Sequence, residues 1–175
     1  MINIYQPSLG TKELSAISEV FQSNWLGKGK LVERFAQQMA NKLNTSRDNV
    51  ETISSCTEGL FQSMKLLNIG EGDEVIIPSI HFIGAINAIV DSKAKAVFCD
   101  VNKRTLNVER KYIEAKITNK TKAVMLLHYG GVPCDFDEIK ELCDHHDIHI
   151  IEDNANSPLS TYREHNTGTI GDIGV

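Results

Sequence analysis

An α/β fold, with a mostly parallel sheet flanked by helices, is what this sequence predicts, and two observations carry the prediction. From residue 50 onward, short runs rich in Val and Ile alternate with amphipathic stretches, the pattern of strands joined by crossover helices. Several of those runs are apolar toward both faces, as strands covered on both sides by helices must be. At 175 residues and 41% hydrophobic, the chain is long and apolar enough to bury the core of one ordinary domain.

In chain order, two amphipathic helices are expected first, over Lys12–Gln22 and Leu31–Lys42, separated by the glycine-punctuated loop Trp25–Lys30. Strands follow at Val50–Ser54, Glu74–Ile77, Ala96–Val101, Ala123–Leu127 and His149–Glu152. Between them lie expected helices at Glu58–Leu67, Phe82–Asp91, Val108–Lys116 and Phe136–His145. Asn107 and Asp135 stand where N-caps belong, and Asp135 with Glu138 has the spacing of an acidic capping box. The final residues, Gly168–Val175, resemble a turn entering a further strand. No internal repeat or Pro/Ser-rich linker divides the chain, so no domain boundary is expected inside it.

Charge and composition narrow the partners. A net charge of -5 and a pI near 5.7 give no broad basic surface, which argues against nucleic acid or an anionic membrane. The N-terminal stretch lacks the basic-then-apolar layout of a signal peptide, and no apolar run reaches the length of a membrane span; a cytoplasmic protein is expected. The cysteines Cys56, Cys99, Cys134 and Cys143 have no paired spacing, so free thiols are expected rather than disulfides or a zinc knuckle. Asp144-His-His-Asp-Ile-His149 gathers imidazoles and carboxylates, but it runs from a helix end into a strand, so its side chains diverge. No metal is expected there.

Three segments can carry chemistry. Ser54–Leu60 lies at a strand-to-helix junction, where free backbone N–H groups and the hydroxyls of Ser55 and Thr57 can receive a phosphate; the same residues also serve as a plain helix cap. Neither G-x-G-x-x-G nor a P-loop occurs, and Glu58 suits a single monoester phosphate better than a triphosphate. Ile150–Ser157 is an apolar strand ending in acids and amides, placing Asp153 and Asn156 at the carboxyl edge where open α/β sheets bind ligands; turn formation alone also accounts for them. Pro78–Ala85 brings His81 and Phe82 to the same edge, where an aromatic can stack on a planar ligand or simply fill the core.

Together these segments resemble the DegT/DnrJ/StrS family of sugar aminotransferases, in order and at matching spacing across almost the whole chain. The resemblance is carried by Ser23–Gly29, Ser55–Leu60, Gly70–Ser79, Phe98–Val101, His128–Gly131, Ile151–Asp153 and Gly171–Val175. It implies the large domain of a fold type I pyridoxal-phosphate-dependent transferase, like that of aspartate aminotransferase, with helices in residues 1–49 and βα units in residues 50–175. It further implies that Cys56, Thr57 and Glu58 surround the cofactor phosphate, that Phe82 stacks on the ring, and that Asp153 partners the ring nitrogen. Asn156 falls near the ring hydroxyl, where the family often has Gln or His, and Cys56 stands where glycine is usual.

By the same resemblance, the strand begun at Gly171 continues to a Schiff-base lysine past Val175. The expectation is therefore an incomplete large domain without the C-terminal small domain, in which the Val50 strand lacks its sheet neighbours. The implied parent activity transfers an amino group, with glutamate as donor, to the keto group of a nucleotide-linked deoxysugar, in a homodimer. Two alternatives stay open: a dehydratase of the same fold using the amine form of the cofactor, and a non-catalytic remnant serving as an interaction module. A nicotinamide enzyme is disfavoured by the missing glycine fingerprint.

Overall fold

The computed structural model describes residues 6–175; residues 1–5, where the signal-peptide question begins, lie outside them. The chain runs through α1 (Thr11–Gln22), α2 (Lys30–Leu43), α3 (Cys56–Leu66), β1 (Glu74–Pro78), α4 (Ile83–Asp91), β2 (Lys95–Cys99), α5 (Arg110–Glu114), β3 (Thr121–Leu127), α6 (Phe136–His146), β4 (His149–Asp153), a hairpin of β5 (Thr161–Tyr162) and β6 (His165–Asn166), and β7 (Ile173–Gly174).

The main sheet has the order β2-β1-β3-β4-β7, and every pair in it is parallel. Side chains alternate across a strand, and the two cores follow from that alternation. Val75, Ile77, Ala123, Met125 and Ile151 face the side where Leu60 and Met64 of α3 and Ala85, Ala88 and Ile89 of α4 pack. Ile76, Val124, Leu126 and Ile150 face the other side, against Ile113 of α5 and Phe136, Ile139 and Leu142 of α6. Each strand thus needs apolar residues at nearly every position, which is why the runs read as continuous.

The order reverses at β1: its crossover through α4 leads outward to β2, and the next, through α5, returns to β3 on the other side. Crevices at such reversals, outside the carboxyl ends of the strands, are where open α/β sheets hold ligands. Pro78 and Leu127 end the strands flanking this crevice, and Asp153 ends the next.

Three expectations are corrected. Val50–Ser54 forms no strand: the backbone at Val50 is extended, but no described strand pairs with the segment, and extended chain without a partner has no ladder to join. Asn107 does not cap α5, which starts at Arg110; its amide donates to the carbonyls of Val132 and Pro133 and its Oδ1 accepts from Tyr129 N–H, bolting two loops together. Asp135 occupies the N-cap position of α6 but its side chain makes no cap bond, and the expected box with Glu138 does not form. Asp135 Oδ1 instead accepts from the Tyr162 hydroxyl at 2.7 Å.

α1 buries none of its residues, and Leu14, Ile17 and Phe21 are exposed along it. α2 buries only Ala36 and Ala40. All four cysteines are free thiols.

Candidate functional site

Four connections at the carboxyl edge converge on a cavity of about 420 Å³. The start of α3 contributes Cys56 and Thr57, the loop after β1 contributes Ile80, His81 and Phe82, the end of β3 contributes Leu127 and Tyr129, and the end of β4 contributes Asp153, Ala155 and Asn156.

Ser55, not Thr57, is the N-cap of α3: its Oγ accepts from Glu58 N–H at 3.1 Å and its carbonyl from Gly59 N–H at 3.2 Å. The N–H groups of Cys56 and Thr57 are left without an acceptor among the described residues, at the positive end of an eleven-residue helix dipole. Such an end receives anions. Glu58 is half-buried but does not line the cavity, and its carboxylate is taken by the amide of Gln62 one turn on. The acid next to the helix start is thus turned aside from any anion there.

Phe82 sits immediately before α4 and is 58% exposed although it lines the cavity. Gly84 makes that placement possible: a Cβ there would come within 2.7 Å of the Phe82 ring and 3.1 Å of the Thr57 methyl. No signal in the sequence marked Gly84, because its role is a contact between two other side chains.

Asp153 is 2% exposed. Its Oδ1 accepts from Ala155 N–H at 3.1 Å and faces the Cys56 thiol at 3.6 Å. Burial, with the Asp153 charge adding to it, pushes that thiol up to about 12, so Cys56 remains a protonated donor. Oδ2 has no hydrogen-bond donor among the described residues; His81 Nδ1 lies 3.7 Å from it. A buried carboxylate with one oxygen tied and one vacant is a receptor for a cationic or N–H-bearing ligand.

Behind Asp153 lies a second carboxylate, Glu152, fully buried. It accepts from Gly168 N–H at 2.8 Å, Ile170 N–H at 2.8 Å, Gly171 N–H at 2.7 Å and His128 Nε2 at 3.0 Å. His128 Nδ1 accepts from Cys134 N–H at 3.1 Å, which assigns the ring proton to Nε2. Burial alone would raise Glu152, but the bonds from His128 and the three backbone groups outweigh it and hold the acid below its usual range. Its work is structural: it fastens the segment that enters β7.

Among the described residues, no group of three or more His, Cys, Asp or Glu side chains could hold a metal ion, and no helix is long and apolar enough to cross a membrane. His145 and His146 pack edge to face on each other at the end of α6, while His149 turns to Asp172 at 3.4 Å.

A helix start with unengaged N–H groups, an exposed aromatic face and a buried carboxylate thus meet on one crevice of a parallel sheet. Residues 7–175 match the DegT/DnrJ/EryC1/StrS aminotransferase family, and the chain belongs to it. It is 44% identical, over 99% of its length, to dTDP-4-dehydro-2,3,6-trideoxy-D-glucose 4-aminotransferase of Saccharopolyspora spinosa, of which it covers 45%. It is 38% identical, over 98% of its length, to GDP-perosamine synthase of Escherichia coli O157:H7, of which it covers 47%. Among solved structures, the aminotransferase TlmJ from Streptoalloteichus hindustanus superposes with a TM-score of 0.96 at 46% identity, the match covering 99% of this chain and 48% of that one. The chain therefore spans about half the length of the relatives it matches.

Proposed function

We propose that this chain is the cofactor-binding part of a pyridoxal-phosphate-dependent aminotransferase that moves an amino group from glutamate to the keto group of a nucleotide-linked deoxysugar, working as a cytoplasmic homodimer. The observation that carries the cofactor assignment is Asp153, a buried carboxylate whose free Oδ2 lines a cavity between an exposed Phe82 and the start of α3. The substrate class rests on the relatives, which are named as a dTDP-linked 4-aminotransferase and a GDP-perosamine synthase.

The residues fit the group. The unengaged N–H groups of Cys56 and Thr57 and the Thr57 hydroxyl bind the phosphate, Phe82 covers a ring face, and Asn156 offers its amide to the ring hydroxyl. When bound, pyridoxal phosphate supplies a cationic ring that withdraws electrons from the carbon losing its proton. Asp153 would hold the ring nitrogen and keep it protonated, because a buried anion beside a basic nitrogen favours its charged form. Cys56 and Ala155 hold Asp153 Oδ1, so the carboxylate presents Oδ2 without reorganising. Glu58, bound to Gln62, stands outside this set.

Titration of the chain with pyridoxamine 5′-phosphate, followed by ligand fluorescence, tests the assignment. Asp153→Asn is expected to weaken binding about tenfold or more, the loss of about 1.4 kcal/mol or more from one charge-assisted bond. Unchanged affinity would make Asp153 a strand-end turn residue and remove the main support for the cofactor.

A further inference from the structure

The proposed function makes no use of His81, which lines the same cavity. Its side chain is completely buried, and Nδ1 accepts the N–H of Phe82 at 3.0 Å. An imidazole that accepts at Nδ1 carries its proton at Nε2 when neutral. Nε2 is buried and has no hydrogen-bond partner among the described residues. Nδ1 meanwhile lies 3.7 Å from Asp153 Oδ2 with a lone pair rather than a proton.

The consequence falls on Asp153. While His81 accepts from Phe82, it cannot donate to Oδ2, and no other described residue does so. A side chain bearing a hydroxyl or amide at this position would bring a donor next to that oxygen and fill it from within. We propose that His81 is a positioning residue that reserves Asp153 Oδ2 for a ligand N–H, and that a proton taken up at His81 Nδ1 competes with the ligand for that oxygen.

This rests on the assignment of Asp153 to a ring nitrogen. Protonation at Nδ1 breaks the bond from Phe82 N–H and turns an N–H toward Oδ2, so proton and ligand are alternatives at one atom. Linkage makes the effect reciprocal: the ligand lowers the affinity of His81 for its proton, and acid lowers the affinity for the ligand. The titratable groups around the cavity are Asp153 from β4, Cys56 from α3 and Tyr129 from the turn after β3. Cys56 stays protonated throughout, having been pushed up to about 12 by burial. Burial also moves His81 below the usual histidine range, against the opposing pull of Asp153. His81 is thus neutral near pH 7 and competes only on the acid side.

The test measures the dissociation constant of pyridoxamine 5′-phosphate at about pH 5 and about pH 8 in the wild-type chain, His81→Phe and His81→Gln. Taking the ratio of the two constants cancels titration of the ligand itself when variants are compared. His81→Phe, which cannot titrate, should reduce that ratio at least threefold relative to wild type. His81→Gln, which carries a permanent donor, should weaken binding at both pH values without the wild-type pH dependence. An unchanged ratio in His81→Phe overturns the proposal.

A second readout needs no ligand. ¹⁵N–¹H correlation spectra of the free chain should show neutral His81 protonated at Nε2, with its titration displaced in Asp153→Asn. An Nδ1–H tautomer, or a titration indifferent to Asp153, overturns the proposal equally. If Asp153→Asn leaves ligand affinity untouched while the spectra show the expected tautomer and coupling, the cofactor assignment has failed and the competition with it, and only the coupling of His81 to Asp153 stands.

Discussion

Asp153 shows what one residue owes to its surroundings. The sequence placed it at the end of a strand, and strand-end position follows from local pattern alone. That Oδ1 is tied to Ala155 and Cys56 while Oδ2 is free depends on contacts up to 97 positions away in the chain, which no local pattern contains. Cys56 was expected near the phosphate; the structure turns its thiol to the Asp153 carboxylate, and Glu58, grouped with it, points to Gln62. Gly84 yields a further prediction at this scale. Gly84→Ala must push the Phe82 ring or the Thr57 methyl by several tenths of an ångström. It is expected to weaken pyridoxamine 5′-phosphate binding about three- to tenfold, checked by the same fluorescence titration, and thermal unfolding should show a stability change of less than about 1 kcal/mol because the ring is free to yield toward solvent.

Elements were legible in proportion to their periodicity. α6 and the strands β1, β3 and β4 emerged within a residue or two of their expected bounds, because each buries a regular face. The β5–β6 hairpin went unread: its turn is Arg163-Glu164, with Arg163 at φ 54, and no Asn-Gly or Asp-Gly pair announces it. Val50–Ser54 misled for the opposite reason, since the β-branched Val50, Thr52 and Ile53 state a preference for pairing without supplying the partner. The attachment of β7 was equally invisible, because it depends on Glu152 collecting three backbone N–H groups. Glu152→Gln is expected to cost roughly 2–4 kcal/mol by denaturant unfolding, as a buried charged acceptor network is broken. The pH dependence has a definite sign. Glu152 binds its proton less tightly folded than unfolded, so its contribution is complete above its ordinary value of 4.5 and is lost as pH falls through the lower folded value. Unfolding curves of the Gln variant should therefore slope less steeply on the acid side than those of wild type.

Across the whole molecule, stability is unevenly distributed. The two apolar layers against the sheet hold the βα units, whereas α1 contributes no buried side chain. Leu60→Ala, in the layer under α3 and α4, is expected to cost about 2–5 kcal/mol. Leu14→Ala, on exposed α1, should shift stability by less than about 0.5 kcal/mol, and a single pair of thermal melts separates the two cases. The bond from Cys56 to Asp153 also has a temporal meaning. It joins residues 97 apart, and parallel sheets of long separation assemble late because the loops between their strands must close first. The helix start and the strand end that make up the cavity stand on either side of β1, β2 and β3 in the chain, so their meeting closes the loop that holds all three strands. A ligand captured there adds its binding energy to the completed topology and none to partial collapses, so its presence during synthesis would select correctly threaded chains from misthreaded ones.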